Sequence, residues 1–273
     1  MLAYAQLEQT FGFISEKMNI DDDKYEITPF IEDADIIFVN TCGFIESSKK
    51  ESIETIFEML SYNKTVVATG CLVERYYNEL KEEMEEVPLM IPIRDYNHFN
   101  DLLKTIDPEL TKTGGLRDDL RVISTGHFSA YLKIGEGCDN KCAYCAIPII
   151  RGGFVSRPFD EIVKEAKNLA TIGIKEVIVL EQDTTKYGVD LQNGENIVKL
   201  LKALLEIKEL DYVRLLYLYP DEITDELIDL IATEPRLTPY FDIPIQHSET
   251  HILEAMNRRG DKEYLRDLFT KIR

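Results

Sequence analysis

Residues 129–148 read SAYLKIGEGCDNKCAYCAIP, and this stretch decides how the second half of the 273-residue chain is interpreted. Its first residues, Ser129 to Ile134, are predicted to form a β-strand. The loop that follows carries Cys138, Cys142 and Cys145 in the spacing C-x3-C-x2-C. Active sites of parallel βα folds collect at the carboxyl ends of strands. The cysteine loop, residues 137–146, is therefore the predicted functional site.

The three thiols predict an iron–sulfur cluster with one open position. Neither a fourth cysteine nor a histidine lies close behind Cys145. Three thiolates hold three corners of a 4Fe–4S cluster, which leaves the fourth iron free to bind a small molecule. Structural zinc sites usually take four protein ligands, commonly in separated pairs. A zinc loop and three ordinary buried cysteines are the alternatives.

Beyond the cysteine loop, the sequence predicts further strand–helix units. Strands are expected at Glu176 to Leu180, Tyr212 to Leu218 and Tyr240 to Ile243, and helices at Phe159 to Thr171, Asn196 to Ile207 and Asp225 to Ala232. This strand spacing is typical of a TIM-like (βα) barrel. The strands are too few to close one, so residues 127–273 are predicted to form a partial barrel that lacks its C-terminal strands.

The first half of the chain is predicted to form a separate domain. Its strands are expected at Asp35 to Asn40, Thr65 to Gly70 and Leu89 to Ile93, and its helices at Glu46 to Leu60, Val73 to Met84 and from Asp95 onward. Such alternation implies a parallel sheet with helices on its faces. We expect this N-terminal parallel-sheet α/β domain at 1–110 and a linker at 111–126, with a short strand at Arg121 to Ser124.

Composition favours a cytoplasmic protein. The cysteine count is five, an odd number, and the crowding of three of them into one loop is typical of metal-binding or catalytic thiols in a reducing compartment. No apolar stretch approaches the ~20 residues of a membrane span, and no secretory signal is evident at the start. A net charge of −19 disfavours direct binding to nucleic acid and permits a basic protein partner.

Two earlier cysteines occupy equivalent places. Cys42 and Cys71 each follow a predicted strand of the N-terminal domain, where a helix is about to begin. If those strands are neighbours, both thiols point into one crevice, where helix N-terminal amides favour anionic groups such as thiolates. A metal site and two small core residues are both open interpretations.

The C-x3-C-x2-C spacing, with Tyr144 just before the last cysteine, resembles the signature of the radical S-adenosylmethionine (SAM) superfamily. The resemblance implies that Cys138, Cys142 and Cys145 bind a 4Fe–4S cluster and that SAM chelates its open iron. It further implies that reductive cleavage of SAM yields a 5′-deoxyadenosyl radical, and that Tyr144 packs near the adenine. The fold it implies is a full or partial TIM-like barrel.

The segments NTCGFIES (40–47) and ATGCL (68–72) resemble the N-terminal domain of the methylthiotransferases, a branch of that superfamily. In this family three cysteines of the domain hold a second, auxiliary 4Fe–4S cluster that takes part in sulfur delivery. The resemblance therefore implies Cys42 and Cys71 as ligands. The family's first cysteine lies in a Gly-Cys-x-Lys-Asn-like segment, and no cysteine precedes Cys42 in this chain. We expect an auxiliary site short of one ligand and a chain truncated at its start.

Five segments resemble the branch that acts on small-subunit ribosomal protein S-twelve, the RimO type. They are FIES (44–47), RGGFVSRP (151–158), EQDTTKYG (181–188), LLYLYP (215–220) and DIPIQH (242–247). The resemblance implies methylthiolation at the β-carbon of one aspartate of that basic protein, with an electron donor as a further partner. No segment corresponds to the family's C-terminal TRAM domain, so truncation is expected there too.

Two glutamines are further candidates for the site. Gln182 and Gln246 end predicted strands, where a polar side chain reaches a bound cofactor or merely caps the strand. Two other functions also stay open at this point. One is methylthiolation of an adenosine in transfer RNA, and the other is a non-enzymatic iron–sulfur or zinc module.

Overall fold

The computed structural model describes residues 31–108 and 126–273, and the chain divides into two compact units, Met1–Ser124 and Thr125–Arg273. The start of the predicted N-terminal domain and almost all of the predicted linker, with its strand at Arg121 to Ser124, lie outside the described residues.

The first unit contains a three-stranded parallel sheet in the order β1-β2-β3. Its elements are β1 (Ile36–Thr41), α1 (Glu46–Leu60), β2 (Thr65–Gly70), α2 (Cys71–Arg75), α3 (Tyr77–Glu83), β3 (Leu89–Ile91) and α4 (Phe99–Leu103), with 3-10 helices at Ile31–Asp33 and Ile93–His98. The predicted parallel-sheet α/β domain is confirmed.

The central strand β2 is buried on both faces. Val66 and Ala68 belong to a core cluster that includes Ile56 of α1, whereas Val67 on the opposite face packs with Phe99 of α4. A strand covered on both sides reads as a continuous apolar run. This burial is the physical reason that TVVATG was recognisable as a strand.

Two elements of the first unit differ from prediction for a visible physical reason. The helix expected from Val73 to Met84 is two helices, α2 and α3, separated at Tyr76, which leaves the helical conformation with φ −126° and ψ 31°. The ring of Tyr76 lies 4.5 Å from the Lys49 ammonium group. Strand β3 ends at Ile91 because Pro92 has no N–H to donate to a ladder.

The second unit contains a three-stranded parallel sheet, β4-β7-β8, and a two-stranded antiparallel sheet, β5-β6. Its elements are β4 (Ser129–Lys133), β5 (Gly135–Glu136), α5 (Ile147–Ile150), β6 (Val155–Ser156), α6 (Phe159–Thr171), β7 (Glu176–Leu180), α7 (Ile197–Leu205), β8 (Tyr212–Leu215), α8 (Asp225–Thr233), α9 (Thr250–Ala255) and α10 (Lys262–Ile272). Helices cover an open sheet, so the predicted partial barrel is confirmed.

The strand predicted from Tyr240 to Ile243 is wrong, and β8 is shorter than predicted. Tyr217 adopts a left-handed conformation with φ +59°, which ends the pleated backbone. The Asp242 carboxylate accepts the Tyr217 N–H at 3.0 Å, and the Asp242 carbonyl accepts the Leu218 N–H at 2.8 Å. The segment after α8 is therefore not a paired strand. It contacts the β8 region through these two hydrogen bonds of Asp242 and through an isolated bridge between Val213 and Leu237.

Across residues 31–108 and 126–273, no helix is both long enough and apolar enough to cross a membrane.

Candidate metal centre

The cysteine loop leaves the carboxyl end of β4 through the short strand β5. Gly137 has φ +79°, and a Cβ there would lie 2.7 Å from the Gly152 carbonyl oxygen and still closer to Gly153. The Cys138 N–H donates to that same Gly152 carbonyl at 3.2 Å. Only glycine permits this close approach of two backbone segments. The loop is therefore fixed at its start by the segment before β6.

The three thiols of the loop are shielded from solvent to different degrees. Cys138 is buried, whereas Cys142 and Cys145 are half-buried. The Cys145 N–H donates to the Cys142 carbonyl at 3.0 Å, which closes a tight turn between the two. Burial raises the pKa of the Cys145 thiol, and the nearby Cys142 sulfur adds to this rise.

Burial likewise raises the pKa of the Cys138 thiol, with a further contribution from the Asp183 carboxylate. A desolvated thiol gives up its proton when a cation compensates the thiolate charge. These thiols are therefore suited to binding metal, because iron supplies the positive charge that their surroundings withhold.

Side chains from the end of β7 hold the middle of the loop. Asn140 donates through Nδ2 to Asp183 at 2.6 Å, and its Oδ1 accepts from the Lys186 ammonium at 2.7 Å. Asp183 has no exposed surface, and its other oxygen accepts from the Thr185 hydroxyl at 2.5 Å. The amide of Asn140 is thus oriented by a buried carboxylate on one side and a cation on the other.

The segment after α9, which lies far beyond the cysteine loop in the sequence, clamps the same loop. The Asn257 amide donates to the Lys141 carbonyl at 2.8 Å, and the Ala143 N–H donates to the Met256 carbonyl at 3.0 Å. Lys141 itself has φ +48°, so its conformation is held by these contacts.

Arg258 lies closest to the cysteines within that clamp. Its Nη1 donates to the Cys142 sulfur at 3.8 Å and to the Tyr144 hydroxyl at 3.4 Å, and its Nη2 donates to the Pro244 carbonyl at 2.6 Å. The guanidinium also lies 4.1 Å from the centre of the Tyr219 ring, and the Tyr219 hydroxyl is 3.8 Å from the Cys142 sulfur.

The predicted cofactor-binding residues are placed differently from one another. Tyr144 is partly exposed beside Arg258, next to the cysteines. Gln182 follows β7; its Nε2 donates to Glu136 at 3.3 Å, and its buried Oε1 has no hydrogen-bond partner among the described residues. Gln246 is exposed, with φ +64°, in the irregular segment that replaces the predicted strand. Their roles stay predictions.

Sequence reasoning missed Arg258 and Glu181. Glu181 is 1% exposed, and neither carboxylate oxygen has a hydrogen-bond partner among the described residues. Burial, together with the Asp183 and Glu136 carboxylates, raises its pKa to about 9. The side chain of Arg258 contacts residues far away in the sequence, and Glu181 is visible in the sequence only as a charged residue beside Gln182.

The two cysteines of the first unit lie at one edge of its sheet. Thr41 of β1 pairs with Gly70 of β2, so Cys42 and Cys71 follow residues in register on neighbouring strands. The expected adjacency of the strands is confirmed. Cys42 is fixed by Ser52, whose hydroxyl accepts the Cys42 N–H at 2.9 Å and donates to the Cys42 carbonyl at 3.1 Å.

No group of three His, Cys, Asp or Glu side chains within residues 31–108 and 126–273 is placed to hold a single metal ion. A cluster of four irons is larger than one ion and spreads its thiolate ligands over different corners.

Two protein families match different parts of the chain. Residues 132–273 match the radical SAM superfamily, and residues 14–92 match a family described as Uncharacterized protein family UPF0004. The first match spans more than half of the chain. The chain therefore belongs to the radical SAM superfamily.

Several curated relatives of the chain are methylthiotransferases that share one name. The "Ribosomal protein uS12 methylthiotransferase RimO" of Alkaliphilus oremlandii is 49% identical over 247 residues, which cover 89% of this chain and 56% of the relative. Proteins of the same name from Clostridium botulinum and Aquifex aeolicus are 44% and 45% identical, covering 92% and 91% of this chain and 59% and 56% of those proteins. The predicted resemblance to the RimO methylthiotransferases is thus confirmed over most of this chain, which spans little more than half the length of these relatives.

Solved structures show the same fold. The radical SAM methyltransferase TsrM from Kitasatospora setae, solved with a tryptophan substrate and a SAM analogue, aligns with a TM-score of 0.62 at 14% identity, over 88% of this chain and 55% of TsrM. The cobalamin-dependent radical enzyme OxsB aligns with a TM-score of 0.61 at 11% identity, over 87% of this chain and 39% of OxsB. At this identity the likeness concerns the fold.

Membership in this superfamily implies 4Fe–4S clusters and SAM as cofactors, in agreement with prediction. The residues of the loop fit such a cluster. Its three cysteines supply thiolates. Outside the loop, Gln182 has a buried Oε1 without a hydrogen-bond partner among the described residues, which leaves a polar group for a ligand. Arg258 supplies positive charge next to Cys142.

Proposed function

We propose that this chain carries the catalytic part of a methylthiotransferase that modifies the β-carbon of an aspartate in small-subunit ribosomal protein S12. In this proposal Cys138, Cys142 and Cys145 hold the radical-generating 4Fe–4S cluster. Cys42 and Cys71 are ligands of a second, auxiliary 4Fe–4S cluster. Modification of an unactivated C–H bond is the chemistry for which a bound cluster and SAM supply a radical.

One observation carries the proposal: three thiols lie on one anchored loop at the carboxyl end of β4, within a chain that resembles RimO proteins over most of its length. The loop offers no fourth cysteine, so an iron remains open to a small molecule. Such an open position distinguishes a reactive centre from a closed structural one.

In this proposal, residues of the chain hold the cysteine loop in place and bind SAM. Asn140 and Asn257 fix the loop backbone, so that the cysteine sulfurs are held in place before metal arrives. Tyr144, Gln182 and Gln246 are the proposed contacts of SAM, with Tyr144 near the adenine. Burial of Tyr219 and Cys138 limits the access of water to the thiols.

The partners follow from charge and from the names of the relatives. A chain with a net charge of −19 favours a basic protein substrate over a nucleic acid, because it repels a phosphate backbone. We therefore place the reaction in the cytoplasm, where ribosomal proteins are made, with an electron donor as the second partner.

Anaerobic reconstitution tests the cluster assignment. We expect the chain to take up iron and sulfide and, with dithionite and SAM, to release 5′-deoxyadenosine. Cys142→Ala should abolish both the loop cluster and the cleavage, whereas Cys42→Ala should lower bound iron and leave cleavage intact. Cleavage that survives Cys142→Ala would contradict the proposal, and zinc without iron would favour a structural module.

Substrate class is tested separately. Mass spectrometry after incubation with purified S12 should find the mass of one methylthio group on an aspartate, and transfer RNA in the same assay should remain unmodified. Modification of an adenosine instead would reassign the chain to the transfer-RNA branch and leave the cluster assignment intact.

A further inference from the structure

Arg258 is a buried cation without an acidic partner among the described residues. Arg258 is only 8% exposed. Its neighbours are the Pro244 carbonyl, the Tyr144 hydroxyl, the Tyr219 ring and the Cys142 sulfur. A buried charge is strongly unfavourable unless an opposite charge compensates it.

The adjacent arginine shows the ordinary arrangement. Arg259 is more exposed, and it forms ion pairs with Asp221 at 2.7 Å and Glu222 at 3.0 Å. The two neighbouring arginines thus differ in a chemically specific way. One is paired with carboxylates near solvent, whereas the other is turned inward, where its Nη1 lies 3.4 Å from the Tyr144 hydroxyl and 3.8 Å from the Cys142 sulfur.

Carbonyl, hydroxyl and ring contacts orient the guanidinium but bring no full negative charge. The Pro244 carbonyl and the Tyr219 ring hold its plane, and Nη1 is left directed at the Cys142 sulfur. A thiolate, or a cluster that it binds, is the anion that this position can accept. Hydrogen bonds to cluster sulfurs and nearby charge are two of the factors that set cluster reduction potentials.

We propose that Arg258 is a positioning residue that compensates the charge of the loop cluster through Cys142 and thereby raises the cluster's reduction potential. The inference rests on the proposed binding of that cluster by Cys138, Cys142 and Cys145. Reduction adds an electron to the cluster, and a fixed positive charge within hydrogen-bond distance of one ligand stabilises the reduced state more than the oxidised state.

The test is an anaerobic redox titration of the reconstituted chain, followed by electron paramagnetic resonance and run without SAM. Cys42 and Cys71 are changed to alanine in every variant, so that the signal comes from the loop cluster. Arg258→Met removes the charge at similar length, and Arg258→Gln keeps a donor for Pro244. Arg258→Lys keeps the charge, and Arg266→Met is the control, because Arg266 is an exposed residue on α10.

We expect the ratio of reduced to oxidised cluster at a fixed solution potential to fall about tenfold in both neutral variants. That ratio corresponds to a shift of about 59 mV to more negative potential for one electron. Arg258→Lys should stay close to the parent, and Arg266→Met should match it. If both neutral variants lose the cluster while Arg258→Lys keeps it, the requirement for charge is supported in another way.

Two results would overturn the inference. One is an unchanged potential in a neutral variant that holds its cluster. The other is loss of the cluster in Arg258→Lys as well, which would make the role of the guanidinium structural. Failure of the parent chain to assemble any loop cluster would instead contradict the proposed function.

Discussion

The carboxyl group of Glu181 lies directly against the backbone of Gly135. A Cβ added at Gly135 would be 2.5 Å from the Glu181 carboxyl carbon. The glycine therefore leaves room for an acid that is 1% exposed and has no hydrogen-bond partner among the described residues. This contact places a desolvated carboxyl group beneath the start of the cysteine loop, and two predictions follow from it.

The first prediction concerns pH. The pKa of Glu181 is raised to about 9 in the folded chain, chiefly by burial, from its ordinary value of 4.5. The unfolded chain loses this proton at lower pH than the folded chain does, so the free energy of unfolding should fall as pH rises from 5 towards 9. The slope from one such group is at most about 1.4 kcal/mol per pH unit.

Urea unfolding of the metal-free chain, followed by circular dichroism at several pH values, measures this slope. Glu181→Gln should flatten it, because glutamine does not ionise. Glu263→Gln is the matched control, since Glu263 is an exposed glutamate whose side chain is 70% accessible. Equal slopes for the parent and Glu181→Gln would refute the assignment of the buried proton.

The second prediction concerns space. Gly135→Ala should lower the free energy of unfolding by about 1–3 kcal/mol, because the new methyl group meets a buried side chain that has little room to move. Adding Glu181→Ala should recover part of that loss, so the double variant is more stable than the sum of the single changes implies. Gly153→Ala is the control, since its added Cβ would have one neighbour, Asp139 Oδ1, at 3.1 Å.

The third prediction concerns the first unit. Ser52→Ala removes both hydrogen bonds that join α1 to the backbone of Cys42. We expect a loss of about 1–3 kcal/mol in unfolding free energy, at roughly 0.5–1.5 kcal/mol per bond. Alkylation of Cys42 by iodoacetamide, followed by peptide mass spectrometry, should become faster. Ser47→Ala, an exposed change on the same helix, should leave the alkylation rate unchanged.

The fourth prediction concerns the loop anchors. Asn140→Ala removes the contacts of the loop with Asp183 and Lys186. Residues that orient metal ligands often contribute about tenfold to metal affinity. After reconstitution, iron should therefore pass to a chelator about ten times faster than from the parent chain. Asn193→Ala, at an exposed position, is the control, and an identical rate in Asn140→Ala would show that the anchor is dispensable.

Much of the fold could be predicted from the sequence because local physics dominates in its regular elements. Strand β2 is a continuous apolar run, and α6 was placed at Phe159 to Thr171, with the bounds that the structure shows. The elements that differed are those in which a distant group decides the backbone. Asp242 holds Tyr217 in a left-handed turn, and no pattern near Tyr217 announces that contact.

In the functional site, too, some residues could be predicted from the local sequence and others could not. Spacing alone indicated the three cysteines, because ligands in one loop are encoded side by side. Arg258 and Glu181 lie far along the chain from the groups they affect, so their roles depend on tertiary contacts. Their chemistry is visible only as burial without a matching partner among the described residues.

The clamp formed by Asn257 and Arg258 joins groups that are 116 positions apart in the chain. During translation, at about 5–20 residues per second, the second half of that clamp leaves the ribosome roughly 6 to 23 seconds after the first. For that interval the nascent thiols have no lid, so they meet oxygen and stray metal in the cell before their pocket exists. Iron delivery to this centre is therefore expected to follow the synthesis of α9 and of the clamp residues Asn257 and Arg258.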